Sequence, residues 1–430
     1  MSRLYNRGMR IGVLGAGAMG LTAAYRLAGA GHRVVVVEKM DVLGGLAAGF
    51  PIGSSYLERF YHHLFGTDRD VVALIEELGL GDKLVWRKPN TSILWGGQRR
   101  RFDGPLSVLR FDPLPLADRL RVGLVVAYLK LRKDYHRFEG VEAEPWLRRW
   151  MGERATQIVW EPLFRAKFGE YHGRVAMSWF WARIFCRTPQ LGYLRGGFQQ
   201  LYERLGERIR ARGGEIRLGQ EVRSIRSDRD GSVCVAMDGA EERFDRVLAT
   251  LPTRLFAQLA QGLPRDWLEK YDWGDWLGAH CVVLGLDRPL TDVYWLNVND
   301  PGYPFLALVD HGNFMPPSDY GGLFPVYLGN YLPMSSERFR QTDDEILDDF
   351  LPSLKRINHR FDPSWVKQSW VFKAPYAQPV VTTEYRHHIP PHETPLRNVY
   401  LANMFQVYPQ DRGQNYSVRM ANEVAQLLLR

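Results

Sequence analysis

An α/β fold is predicted for this chain, in which a parallel sheet of Rossmann type is covered by helices. Joined to it is an α+β substrate domain with an antiparallel sheet and a helical insertion. Three observations predict this. The stretch Met9–Lys39 runs strand, glycine turn, helix, strand; a glycine-led helix and a set of strands follow between residues 191 and 255; and the last forty residues return to a strand and an amphipathic helix. The sheet half therefore takes residues 1–85, 191–255 and 391–430, and the substrate half takes 86–190 and 256–390.

The first element begins with an apolar run over residues 9–14, which breaks into Gly15-Ala16-Gly17-Ala18-Met19-Gly20 and continues at helical spacing through Leu21, Ala24 and Leu27. Gly15 permits the tight turn, Gly17 lets a pyrophosphate reach the backbone, and Gly20 allows helix and strand to pack closely. The helix N-terminus, at Ala18 and Met19, meets the phosphates. Gly31 stops this helix, and Arg33–Val37 forms the second strand. Glu38, with Lys39 beside it, follows 18 residues after Gly20, where an acid accepts hydrogen bonds from an adenosine ribose and disfavours a 2′-phosphate.

Composition limits the alternatives. A chain of 430 residues with 45% hydrophobic content implies two closely packed domains. Its three cysteines, Cys186, Cys234 and Cys281, lie far apart without a C-x-x-C pair, so disulfide reductase chemistry and a metal site find no support and a reduced, cytoplasmic setting is expected. The segment Met1–Arg10 is short and polar and reads as no signal peptide, and the later apolar run Val122–Tyr128 is far below a membrane span. The net charge of +8 is spread over scattered arginines with no nucleic-acid-binding pattern, so a solvated basic surface is expected and no nucleic acid partner.

Past the ribose acid, Leu43-Gly44-Gly45-Leu46 supplies a glycine pair whose backbone can lie against a cofactor. With Gly15, Gly17, Gly20, Glu38, Gly44 and Gly45 in this order, the chain resembles the flavin-dependent amine oxidase superfamily, which includes protoporphyrinogen oxidases and phytoene desaturases. Leu46 stands where that pattern usually has Arg or Lys. The resemblance implies FAD, held noncovalently, because no cysteine lies in the terminal loop where covalent members carry one. One dinucleotide fingerprint implies no built-in NAD(P)H site, hence a diffusible electron acceptor such as oxygen or a quinone.

The segment Glu58–Phe65 resembles the superfamily's Asp-x-Gly-x-His stretch beside the isoalloxazine, with Glu58 and His62 at the matching positions. His62 and His63 read either as acid or base groups near neutral pH or as buried, structurally hydrogen-bonded histidines. Thr67-Asp68 is expected to cap a helix over Val71–Leu78 that Gly79 ends. Asn90–Arg101 reads as a hairpin turning at Gly96-Gly97, and Pro105–Tyr135 as one basic, two-sided helix. That helix suits either peripheral contact with the inner face of a membrane or an arginine-lined outer face over the substrate domain. Trp179-Phe180-Trp181 offers Trp181 to a flat or greasy substrate, or packs the core.

The helix Gln199–Arg212 and strands Glu215–Leu218, Glu221–Ile225, Val233–Met237 and Arg246–Thr250 follow. The resemblance places Val222 over the adenine end of the cofactor and returns Asp245–Pro252 to the sheet. Strands at Cys281–Leu286, Val293–Leu296, Phe305–Val309 and Leu323–Tyr331, then a helix at Asp343–Ile357, make the substrate sheet and its cover. Trp370–Pro379 resembles the segment bordering the flavin cavity, with Tyr376 sharing the proton-handling role with His62, and Gln378 on the substrate side with His63. In the last strand Asn403 occupies the place of a family acid. Gly413, Asn415 and Tyr416 open a helix whose positive end would stabilise negative charge on the flavin pyrimidine. Together these imply hydride removal from a C–H of a small amphipathic or lipophilic substrate to flavin N5. A redox-neutral, UDP-galactopyranose mutase-like isomerase on reduced FAD and a membrane-associated flavin-binding protein are the alternatives.

Overall fold

Four consecutive valines, Val34–Val37, and the run Ile11–Leu14 are apolar on both sides, as strands covered on two faces must be. In the computed structural model, which describes residues 8–430, they lie side by side at the centre of a five-stranded sheet. The opening residues 1–7, read above as part of a segment without a signal peptide, lie outside the described residues. The sheet order is Glu215–Arg217, Arg33–Val37, Arg10–Leu14, Arg246–Ala249, Val399–Leu401, and every pairing is parallel. Alternate side chains serve two cores. Val34 and Val36 pack with Leu21, Leu27, Leu201 and Leu205 under the helices, whereas Val35 and Val37 pack with Ile225, Val235 and Phe244 of a smaller sheet on the opposite face. Helix Ala18–Gly29 packs against both Gln199–Ala211 and the C-terminal helix Gln414–Leu428.

The second large sheet has seven strands, ordered Val366–Pro379, Trp276–Leu286, Phe324–Pro333, Ala307–Asp310, Trp295–Val298, Thr91–Trp95, Gln98–Arg101. All its pairings are antiparallel except that between Trp295–Val298 and Thr91–Trp95. Strand Trp276–Leu286 is buried throughout: Val282 and Leu284 face helix Asp343–Ile357, and Cys281 and Val283 face the first core. That helix has the predicted ends because Thr342 and Glu345 form a reciprocal capping box at its start. A third, aromatic-rich core fills the helical insertion.

Two expectations are corrected. Pro105–Tyr135 is two helices, Pro105–Leu109 and Leu116–Leu131, because Pro113 and Pro115 cannot continue the backbone ladder. Along the longer one Arg119, half-buried, donates to the Leu114 and Leu109 carbonyls (2.6 and 2.9 Å), and Arg121, exposed, donates to that of Trp150 (2.7 Å). Leu116, Leu120, Leu124, Tyr128 and Leu131 are left to solvent, Leu124 at 72% and Leu131 at 82% exposure. Asp68 does not cap helix Arg69–Glu77, since its carboxylate accepts from the Phe65 amide (2.8 Å). The cap comes from the far end of the chain, where Asn415 Oδ1 accepts from the amides of Asp70 (2.9 Å) and Val71 (3.2 Å). The predicted strand set after residue 215 also gains an unforeseen partner, Ala240–Phe244, paired to Val233–Met237. Among the described residues no helix is long and apolar enough to cross a membrane, and no group of residues is disposed to hold a metal ion.

Candidate functional site

A cavity of about 490 Å³ opens at the carboxyl ends of the parallel strands, the place where open α/β sheets receive ligands. Its floor is made by two glycine loops. Gly15 holds φ of +109° while its amide bonds the Val37 carbonyl (2.8 Å). A Cβ on Gly20 would stand 1.9 Å from the Gly15 carbonyl oxygen, so helix and turn meet only because that atom is missing. Gly17 pairs with Gly44, and a Cβ on Gly45 would lie 3.1 Å from Gly17 Cα. The loops thus meet backbone to backbone and present almost no side chain. Helix Ala18–Gly29 starts here with no side-chain cap, leaving its first N–H groups for an anion. Glu38 accepts from the amides of Ala16 (2.8 Å) and Met40 (2.9 Å), which fixes its carboxylate beside this floor.

A flavin dinucleotide fits these residues. Besides the side-chain-free cradle, two buried polar atoms of wall residues, Gln414 Nε2 and His280 Nε2, have no partner among the described residues. Leu46, Ala18, Met19, Asn403, Gly413, Asn415 and Tyr416 all line the cavity. Asn403 is held by its own bonds, donating to the Leu251 carbonyl (2.8 Å) and accepting from the Phe405 amide (2.9 Å). The side-chain oxygen of Asn415 is committed to its capping role.

The facing wall carries His62, His63 and Tyr376. His62 Nδ1 lies 2.6 Å from the Phe60 carbonyl, so that nitrogen carries the proton and Nε2 is left as an acceptor. Burial pushes His62 down to about 4, against the pull of that carbonyl, and pushes His63 down to about 3, with Arg187 and other nearby cations adding to it. Both imidazoles are therefore neutral at physiological pH. Glu58, aligned with them in the sequence, does not reach the cavity. It is buried beneath it, accepting from the Phe198 amide (2.7 Å) and the Tyr193 hydroxyl (2.9 Å).

Five further predicted site residues lie outside this cavity lining, Gly20 among them because it packs beneath the turn against the Gly15 carbonyl. The Lys39 side chain is exposed and reaches Glu221 (3.7 Å). Val222 heads a strand of the small sheet, paired with Met237. Trp181 stacks on Phe185 and donates to the Arg132 carbonyl (3.0 Å), which makes it core packing. Gln378 is wholly buried behind the wall, where its Oε1 accepts from Arg412.

Sequence reading missed the most charged part of the wall. Lys167 Nζ lies 2.8 Å from Asp411 Oδ2, Arg183 is 3.2 Å from the same oxygen, and Arg412 donates to the Tyr331 hydroxyl (2.6 Å). Burial pushes the Lys167 ammonium down to about 7, with Asp411 opposing and Arg183 and Arg412 assisting. Burial alone would raise the Asp411 carboxyl, but Lys167, Arg412 and Arg183 together hold it far below the usual carboxylate range. One signal pointed to Lys167: it falls at the i+3 position of the apolar stripe begun by Phe164, on the buried face of helix Glu161–Phe168.

The model of the family described as flavin containing amine oxidoreductase matches residues 20–409. The 15-cis-phytoene desaturase of Solanum lycopersicum is 27% identical over 287 residues, covering 61% of this chain and 49% of that protein, so the chain spans about half the length of this relative. Among solved structures, a protein of Exiguobacterium sp. 255-15 provisionally described as a protoporphyrinogen oxidase superposes with a TM-score of 0.78 at 21% identity, covering 98% of each chain. A reduced UDP-galactopyranose mutase superposes with a TM-score of 0.79 at 16% identity, covering 98% of this chain and 95% of that one. At such identities these two likenesses show the fold, whereas the match over residues 20–409 shows the family: this chain belongs to the flavin containing amine oxidoreductases.

Proposed function

We propose that the chain is an FAD-dependent oxidoreductase that removes a hydride from a C–H of a small amphipathic or lipophilic molecule, leaving a C=C or C=N bond. The observation that carries this reading is the glycine floor, which opens directly onto a wall of aromatic and polar side chains. Bound FAD supplies the two-electron acceptor at flavin N5. The protein's part is to exclude water, orient the substrate and handle one proton. His62, with its proton on Nδ1, offers Nε2 to a departing substrate proton, and the Tyr376 phenol is the other candidate. Noncovalent attachment is supported by the terminal loop, which lacks cysteine, and by the cavity thiols: burial raises Cys186 and pushes Cys281 up to about 12, so both stay protonated and poorly nucleophilic. Electrons then leave to a diffusible oxidant such as oxygen or a quinone.

Anaerobic mixing of the purified yellow protein with amines, isoprenoids and porphyrinogens tests the reaction type. Loss of flavin absorbance with one class is the expected result. If no class bleaches the flavin and the chemically reduced protein interconverts UDP-galactopyranose and its furanose, the redox-neutral reading replaces this one. The arginine-rich wall is what favours that second reading, since guanidinium forks suit a diphosphate.

The leucine stripe of helix Leu116–Leu131 supports peripheral contact with an anionic membrane. Its large apolar side chains recur every three or four residues on one exposed face, beside exposed Arg132 and Lys133. Its basic end is tied to a segment of the cavity lining, where Lys130 donates to the carbonyls of Phe185 (3.2 Å) and Arg187. The protein should pellet with vesicles containing phosphatidylglycerol, and a Leu120→Glu, Leu124→Glu variant should bind at least ten-fold less. Equal pelleting of the two would remove the helix from any membrane role.

A further inference from the structure

The cationic wall of the cavity is larger than its only counter-ion requires. Asp411 is approached by Lys167 at 2.8 Å, Arg183 at 3.2 Å and Arg412 at 3.8 Å, so three cations share one carboxylate. A fourth, Arg187, also lines the cavity and makes no ion pair or side-chain hydrogen bond among the described residues. The other carboxylates on the lining do not balance them: Glu38 accepts from two backbone amides beside the glycine floor, and Asp68 accepts from the Phe65 amide. Three of these cations have little accessible surface, with side-chain exposures of 6% for Lys167, 18% for Arg183 and 21% for Arg412, whereas Arg187, on the loop that follows helix Met177–Phe185, lies open to the cavity while burial among its neighbours still lowers its guanidinium to about 9. The arrangement is an unpaired guanidinium in the same cavity as a buried cluster that retains uncompensated positive charge.

Burying like charges without neutralising them is costly, and a cluster of this kind is most stable when an anion completes it. The dinucleotide phosphates have their own place at the side-chain-free floor and the start of helix Ala18–Gly29. The cluster belongs instead to the helical insertion and the terminal loop, elements distinct from the two glycine loops of the floor. We infer that the substrate carries an oxyanion, a carboxylate or a phosphate monoester, which Arg187, Arg183, Lys167 and Arg412 hold together. This rests on the oxidoreductase reading and narrows it: the lipophilic body of the substrate would lie along Tyr331, Tyr61 and Trp295, with its charged end fixed by the cluster. Arginine suits the task because its planar fork can engage both oxygens of such a group.

The test uses the oxidised holoprotein and three aromatic probes of similar size: benzoate, phenyl phosphate and uncharged benzamide. Each is titrated while the flavin absorption band and the tryptophan fluorescence are recorded; Trp295 lines the cavity and the Trp179 ring centroid is 5.0 Å from Lys167 Nζ. At least one anion is expected to give a saturable change at concentrations where benzamide gives none. Arg187→Met should raise the Kd of that anion ten-fold or more with flavin content unchanged, and Arg187→Lys should recover most of the loss. A preference for benzoate over phenyl phosphate identifies a carboxylate substrate, and the reverse a phosphate. Benzamide binding as well as the anions, or an Arg187→Met protein that binds them like the parent, overturns the proposal. Should the protein purify without flavin and refuse added FAD, the oxidoreductase reading falls, while the tryptophan signal still decides the anion site separately.

Discussion

Gly17→Val yields a folded but colourless protein. Gly17 has φ of −75° and extended ψ, a conformation open to any residue, and a Cβ placed there would meet nothing nearer than Gly45 Cα at 3.9 Å. The substitution therefore strains no backbone, and its cost to the helix start is about 1 kcal/mol, the ordinary penalty of an apolar N-cap. The added methyl groups stand on the floor across which the pyrophosphate must approach. Flavin per protein should fall at least ten-fold, with circular dichroism and melting temperature matching those of the parent stripped of flavin. Gly20→Ala is the contrasting case, because its Cβ would press at 1.9 Å on a carbonyl oxygen and damage the fold itself. A yellow Gly17→Val protein would show that the cofactor lies elsewhere.

The second large effect concerns Glu58, a carboxyl only 1% exposed. Burial pushes it up to about 7 from an ordinary 4.5, although the Phe198 amide and the Tyr193 hydroxyl both favour the ionised form. Between pH 4.5 and 7 the folded protein therefore holds a proton that the unfolded chain has released, and stability falls as pH rises through this window. Above it the loss is complete, about 3 kcal/mol from the 1.36 kcal/mol that each pKa unit represents. Glu58→Gln keeps the shape and both partners, with Oε1 accepting from the Phe198 amide and Nε2 donating to the Tyr193 oxygen. Denaturant unfolding at pH 5 and pH 8 should show the variant gaining on the parent by up to about 3 kcal/mol at the higher pH. Asp310, raised by burial to about 7, contributes a similar slope to both proteins and cancels in the difference. Parallel profiles for the two proteins would mean that Glu58 is ionised in the fold throughout.

What could be read from the sequence follows the range of the forces involved. The glycine turns, the alternating valines and the box at Thr342 and Glu345 act over a few residues, so their elements stand out in the order of amino acids alone. The break at Pro113 and Pro115 was equally local, but the apolar run behind it drew the helix too long. The cationic wall was not legible, because Lys167 and Asp411 are 244 positions apart and meet only when the helical insertion folds over the terminal loop. Asn415 illustrates the same limit: its place before the last helix suggested a cofactor contact, while its side chain serves a helix 345 positions earlier. Exposure was also hidden in composition. Leu116, Leu120, Leu124 and Leu131 read as the packed side of a helix, yet in the fold they face solvent.

The parallel sheet has Val399–Leu401 as its outer strand, next to Arg246–Ala249, and the helix behind it fastens Arg69–Glu77 through Asn415. A ribosome must therefore deliver these late residues before the nucleotide crevice can close. Until then the earlier strands wait with one margin open, an unpaired edge of the kind that invites wrong pairing.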